Sequence, residues 1–171
     1  METVKWYKNP EMLVAFSALM IGLFTAIISV YSAYIDRQYA RASVWPKLEL
    51  YRSYSDSTFS YGIANKGIGP AIINYATVQV DGQFIKHWVD IPEFELITQS
   101  HFGTTTMIPG QELLPLKYKG ADVVAILALD KRIKIEICYC SIYDECWVTD
   151  RTMKTTSVSE CSILPEHGFQ Q

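Results

Sequence analysis

The residues best equipped for chemistry are four cysteines, Cys138, Cys140, Cys146 and Cys161, set in the last quarter of the chain as C-x-C-x5-C-x14-C. Four thiols at such spacing can form disulfides, act as redox-active free thiols or bind zinc. Structural zinc sites favour C-x2–4-C turns, whereas here the first pair sits in an alternating stretch, Arg132–Ser141. A strand of period two puts Ile133, Ile135, Ile137 and Tyr139 on one face. Cys138 and Cys140 then share the other face with Arg132, Lys134 and Glu136. Side chains two apart on a strand stand roughly 6.5–7 Å apart, more than a disulfide spans comfortably, so a Cys138–Cys140 bridge is disfavoured. Two pairings stay open. One joins Cys140 to Cys146 across a five-residue loop holding Tyr143 and Asp144, with Cys138 joined to Cys161. The other joins Cys138 to Cys146 and Cys140 to Cys161. Disulfides are the leading reading, and they imply an oxidising compartment.

The remaining candidates are weaker. His87, His101 and His167 are scattered along the chain, and each reads as a surface or partly buried histidine rather than a ligand. Asp90, Glu93 and Glu95 cluster in one segment, and Asp144 and Glu145 in another. Acidic turns of this kind are ordinarily solvated. Neither a nucleophile elbow nor a phosphate-binding loop, dinucleotide fingerprint or zinc-protease motif occurs in the sequence. The reading is therefore non-enzymatic, with no catalytic residue, no cofactor and no metal. A net charge of −3 with 19% charged residues excludes a nucleic-acid binder that works through overall positive charge. Tyr51, Tyr54, Tyr61, Tyr75, Trp88, Tyr139, Tyr143 and Trp147 are too many aromatics for one small core. Tyrosine and tryptophan are favoured at recognition surfaces, so the hairpin of Tyr143, Asp144 and Trp147 is the expected interaction surface.

These residues must be held by something. Met12 to Ile35 is a run of 24 residues without a charge, and about 20 apolar residues suffice for a membrane-spanning helix. Trp6 and Tyr7 precede it, and Tyr31, Tyr34 and Tyr39 lie at its far end, as interfacial rings do. A cleaved signal peptide, with Lys5 and Lys8 as its basic region and Ala40-Arg41-Ala42 as its site, fits less well. Its apolar core would run to roughly 7–15 residues. The lipid bilayer is thus the first expected partner. Ala18, Gly22, Ala26, Ser29 and Ala33 form a stripe of small residues on one helix face, the pattern that lets helices pack closely in lipid. A membrane-protein partner or a homo-oligomer is the second. Sidedness is contested. Arg37, Arg41, Lys47 and Arg52 after the helix favour a cytoplasmic C-terminal domain, while the cysteines favour a periplasmic or extracellular one, which is the reading adopted.

From Lys47 onward β-branched and aromatic runs are cut by turn formers. The expected strands are Lys47–Tyr54, Thr58–Asn65, Ala71–Val80, Gln83–Val89, Thr104–Ile108, Val123–Leu129, Arg132–Ser141 and Cys146–Thr155. Asp81-Gly82 reads as a two-residue hairpin turn, and Asp130-Lys131 as another. Pro92 to Phe102 is left for a short helix or a long loop. The segments are 1–11 (a short N-terminal stretch), 12–35 (membrane helix), 36–46 (junction), 47–163 (antiparallel β-sandwich) and 164–171 (tail).

Asn65-Lys66-Gly67-Ile68-Gly69-Pro70-Ala71, followed by Val78-Gln79-Val80-Asp81-Gly82, resembles the immunoglobulin-like β-sandwich domains of small, uncharacterised bacterial single-pass membrane proteins. The resemblance covers roughly Leu48 to Thr155. It implies that fold and a bacterial source, and carries no activity. The glycines are expected to permit tight turns. The function expected from all this is a membrane-anchored module acting through protein–protein interaction. The alternatives are a small membrane effector or sensor with a cytoplasmic domain, in stress or phage defence, and a thiol-redox or zinc-binding module.

Overall fold

A computed structural model describes residues 9–94 and 97–170; Lys5, Trp6, Tyr7, Lys8 and Glu95 lie outside the described residues. The chain divides into two units between Ala42 and Ser43.

The first unit is a single helix, α1, of 33 residues (Pro10–Ala42). Proline suits a first helical position, where its missing N–H is no loss. At 1.5 Å per residue α1 is about 50 Å long, against roughly 30 Å of bilayer hydrocarbon. None of its residues is buried. The hydroxyls of Ser17, Thr25 and Ser29 donate to the carbonyls of Val14, Ile21 and Thr25 on the same helix. Polar groups satisfied in this way need no water. The helix continues past Ile35 and takes in much of the expected junction.

The second unit is a β-sandwich-like domain of two antiparallel sheets. Its strands are β1 (Leu48–Tyr54), β2 (Thr58–Asn65), β3 (Ala71–Val80), β4 (Gln83–Ile85), β5 (Ile97–Gln99), β6 (Thr106–Met107), β7 (Glu112–Lys119), β8 (Ile133–Cys140), β9 (Cys146–Asp150) and β10 (Thr155–Val158). One sheet runs β1-β2-β7-β5 and the other β10-β9-β8-β3-β4, with β6 also on β3. Phe59, Ile63 and Leu116 of the first sheet face Val78, Ile137 and Tyr139 of the second, and all are buried. Trp88, in a 3-10 turn after β4, fills the space between them, stacked 5.6 Å from Tyr61. Burying one such large apolar side chain contributes roughly 1.5–3 kcal/mol.

The structure departs from the expected elements at several places. Val123–Leu129, expected as a strand, lies in helix α2 (Val123–Asp130). Asp122 caps it by accepting the Ala125 N–H at 3.2 Å, and Val123, Ile126 and Asp130 are buried at helical spacing. Cap and burial outweigh the β preference of the two valines. Asp130-Lys131 is therefore the end of a helix rather than a hairpin turn. Gln83–Val89 is strand only to Ile85 before the 3-10 turn intervenes. Strand β7 was not expected, because Pro115 interrupts its pattern. The Tyr61–Ile63 step of β2 faces the Leu113–Leu116 step of β7, so Pro115 sits in a bulge, where its missing N–H costs the ladder nothing.

The Asn65–Ala71 motif also has a different basis from the one expected. Gly67 and Gly69 do not adopt positive φ; among the described glycines Gly82 and Gly110 do. A Cβ on Gly69 would lie 1.7 Å from the Val44 carbonyl oxygen, and one on Gly67 would lie 2.4 Å from the Lys47 nitrogen. The glycines make room for residues 44–47 to cross the turn. Asn65 binds the crossing together. Its amide donates to the carbonyls of Gly69 (2.9 Å) and Met107 (3.0 Å), and its oxygen accepts from the N–H groups of Gly67 (3.0 Å) and Lys47 (3.3 Å). At Asp81-Gly82 the turn is as expected, with φ of 52° and 83°, and Arg132 holds Asp81 through its guanidinium. That hydrogen bond keeps the Asp81 carboxyl below its ordinary range.

Candidate functional site

The cysteines converge on one place. The structure joins Cys140 to Cys146 and Cys138 to Cys161. Strand pairing brings about the first bond, since Cys140 lies directly opposite Cys146 in the β8–β9 ladder. One residue along, Tyr139 opposes Trp147 with ring centroids 5.8 Å apart. The second bond ties the segment after β10 onto β8. The two bonds touch: Cys140 Sγ lies 3.6 Å from Cys161 Sγ, and the sulfurs of Cys140, Cys146 and Cys161 all lie within 4.8 Å of one another. Thiols so placed can hold a metal ion; paired as disulfides they do not titrate and have no thiolate to offer.

Alternation assigns Cys138 and Cys140 to the face that also carries Lys134 and Glu136, opposite the isoleucines, so they are not expected as ordinary core residues. Instead Cys138 is fully buried and Cys140 nearly so. Both disulfides, to Cys161 and to Cys146, lie on that half of β8. The last part of the chain, expected as a tail outside the domain, likewise returns to it. Phe169 N–H donates to the Ala76 carbonyl and Gln170 N–H to that of Lys86, each at 2.9 Å. The Phe169 ring enters the core 4.9 Å from Trp88 and 5.3 Å from Phe102. His167 stacks on Phe84 at 4.0 Å.

Beyond Cys140 the chain forms the five-residue loop Ser141–Glu145. The Ser141 N–H donates to the Glu145 carbonyl at 2.8 Å. The buried Ser141 hydroxyl oxygen accepts from the N–H groups of Tyr143 (3.2 Å) and Glu145 (3.3 Å). Asp144 takes a φ of 59° to close the turn. Ile142 is 51% and Tyr143 40% exposed at the tip. Trp147 is different: it packs against the core through Tyr139 and is only partly exposed. Of the other aromatics named from the sequence, Tyr61, Trp88 and Tyr139 are buried, and Tyr54 is exposed. Cys138, Cys140, Cys146, Cys161, Tyr143, Asp144 and Trp147 are thus brought together. Ala18, Gly22, Ala26, Ser29 and Ala33 lie in the other unit, on α1.

A second cluster had no forerunner in the sequence reading. Asp130, 1% exposed, receives the Tyr61 hydroxyl at 2.6 Å, Arg52 through Nη1 and Arg151 through Nη2. Arg151 Nη1 also donates to the carbonyls of Asp130 and Ile133, both at 2.7 Å. Burial, and then the hydrogen bond to Asp130, push the Tyr61 phenol well above its ordinary range. The cluster borders a cleft of about 440 Å³, lined by Arg52, Tyr61, Trp88, Phe102, Ile135 and Arg151 among others. A signal existed: Val123, Ile126 and Asp130 stand at i, i+3 and i+7, so a helical reading places the aspartate on the buried face.

No protein-family model matches this chain, and comparison with curated proteins finds no match either.

Proposed function

We propose that the chain is a single-pass membrane protein whose domain, of immunoglobulin-like kinship, stands outside the cytoplasm and works by binding a partner. Helix α1 provides the anchor, and its stripe from Ala18 to Ala33 is the surface for a second membrane helix. The observation that carries the reading is the hairpin tip. Ile142 and Tyr143 are displayed on a loop whose flanks are bonded by Cys140–Cys146 and whose turn is braced by Ser141. A rigid loop presenting apolar and aromatic side chains loses little conformational entropy on binding. The disulfides support an oxidising location.

A second reading rests on Arg37, Arg41 and Lys47, whose charge favours a cytoplasmic domain. Two experiments on intact cells test them. A photo-crosslinking residue at position 143, with position 89 as an exposed control, is expected to give a discrete adduct from 143 alone. An impermeant phosphine reductant, washed away before an impermeant maleimide is added, is expected to leave the cysteines open to labelling before lysis. Labelling only after lysis would overturn the exported reading, and equal adducts at both positions would overturn the hairpin contact.

A further inference from the structure

We propose that the four cysteines form one thiol–disulfide exchange centre: a reducing dithiol enters at Cys161, and the bond it opens is passed to the Cys140–Cys146 hairpin. Two independent staples need no contact between them. Here Cys140 Sγ and Cys161 Sγ, members of different disulfides, lie 3.6 Å apart. Exposure gives the pair a direction. Cys138 is 0%, Cys146 6% and Cys140 8% exposed, whereas Cys161 is partly open to solvent. An external thiolate therefore reaches Cys161 first.

The steps balance as two-electron exchanges. A thiolate of the dithiol attacks Cys161 Sγ, the Cys138–Cys161 bond breaks, and Cys138 leaves as a thiolate that takes a proton. The second thiol of the reductant attacks its own sulfur in the mixed disulfide. The reductant departs as a cyclic disulfide, and Cys161 becomes a thiolate. That thiolate attacks Cys140 Sγ; a Cys140–Cys161 bond forms, the Cys140–Cys146 bond breaks, and Cys146 leaves with the electron pair. Once protonated, Cys146 has an acceptor at hand in the Asp144 carbonyl, 3.6 Å away. The product holds Cys140–Cys161 with Cys138 and Cys146 as thiols. The segment after β10 stays attached, moved two residues along β8 toward the hairpin, and the loop that displays Ile142 and Tyr143 loses its clamp.

The test uses the full chain in detergent, with free thiols blocked by N-ethylmaleimide in acid after equilibration at mildly alkaline pH. Chymotrypsin, cutting after Tyr139 and Tyr143, separates Cys138, Cys140 and Cys146 for mass spectrometry. Cys138→Ser leaves Cys161 free beside the Cys140–Cys146 bond, and Cys146→Ser leaves Cys140 free beside the Cys138–Cys161 bond. Both variants are expected to yield the same Cys140–Cys161 peptide, with the block on Cys146 in the first and on Cys138 in the second. Wild-type protein given one equivalent of dithiothreitol is expected to yield that peptide too, which keeps the test independent of how the variants fold. Retention of the original bond alone, with the block only on Cys161 in the first variant and only on Cys140 in the second, overturns the proposal. So does wild-type protein that shows no Cys140–Cys161 peptide.

Discussion

At the scale of single residues, the polar groups that matter are buried ones with every partner supplied. Asn65, 0% exposed, uses both amide hydrogens and accepts two N–H groups, tying the chain before β1 to the turn after β2 and to β6. Leaving a buried group without its partner costs about 1–3 kcal/mol. Asn65→Ala is therefore expected to lower stability by about 3 kcal/mol, since four backbone groups lose a partner at once. Urea unfolding of the oxidised protein, followed by tryptophan fluorescence, measures it; a shift within error of zero would show water replacing the side chain. This asparagine was visible in the sequence as part of a turn motif. Its role was not, because nothing in the local pattern indicates that residues 44–47 pass over the turn. Asp130 was hidden for a related reason. Its partners Arg52, Tyr61 and Arg151 come from β1, β2 and the turn after β9, and only the fold makes them neighbours.

At the scale of elements, legibility followed the strength of local alternation. Thr58–Asn65 and Ala71–Val80 were read at their observed limits, because turn formers bound them on both sides. The Asp81-Gly82 turn followed from the positive φ it demands. Strand β7 was missed at Pro115, since the bulge that accommodates a proline belongs to the pairing with β2 and not to β7 itself. The α2 segment was misread because its valines and isoleucine satisfy strand and helix alike. Its cap makes the difference testable. Asp122→Ala is expected to cost about 1 kcal/mol, read as a lower urea midpoint with unchanged slope. No loss at all would mean that burial of Val123 and Ile126 alone selects the helix.

At the scale of the whole molecule, the two units differ in what they bury. The second has its own core, while α1 buries none of its residues and exposes Leu13, Phe16, Leu19, Ile27 and Ile28. α1 is long and apolar enough to cross a bilayer. Gly22 gives a clean probe of what else α1 meets, because a Cβ built on it touches nothing within 4 Å. Gly22→Leu leaves the helix itself unstrained. It is expected to weaken self-association by about tenfold, given that close approach through small residues drives packing in lipid. Energy transfer between labelled copies in vesicles measures it, and an unchanged signal would remove the stripe from consideration as a packing face.

The order of the cysteines along the chain bears on how the protein matures. The Cys140–Cys146 bond lies inside the span closed by Cys138–Cys161. A chain entering an oxidising compartment from its N-terminal side presents Cys138 and Cys140 first, then Cys146, and Cys161 last. An oxidant that joins thiols as they emerge thus meets Cys138 before its partner exists, with Cys140 and Cys146 as the only thiols within reach. On the exported reading, any bond that Cys138 makes before Cys161 emerges needs correction after synthesis, and cells lacking a disulfide isomerase are expected to accumulate mispaired, protease-sensitive protein even where their oxidant is intact.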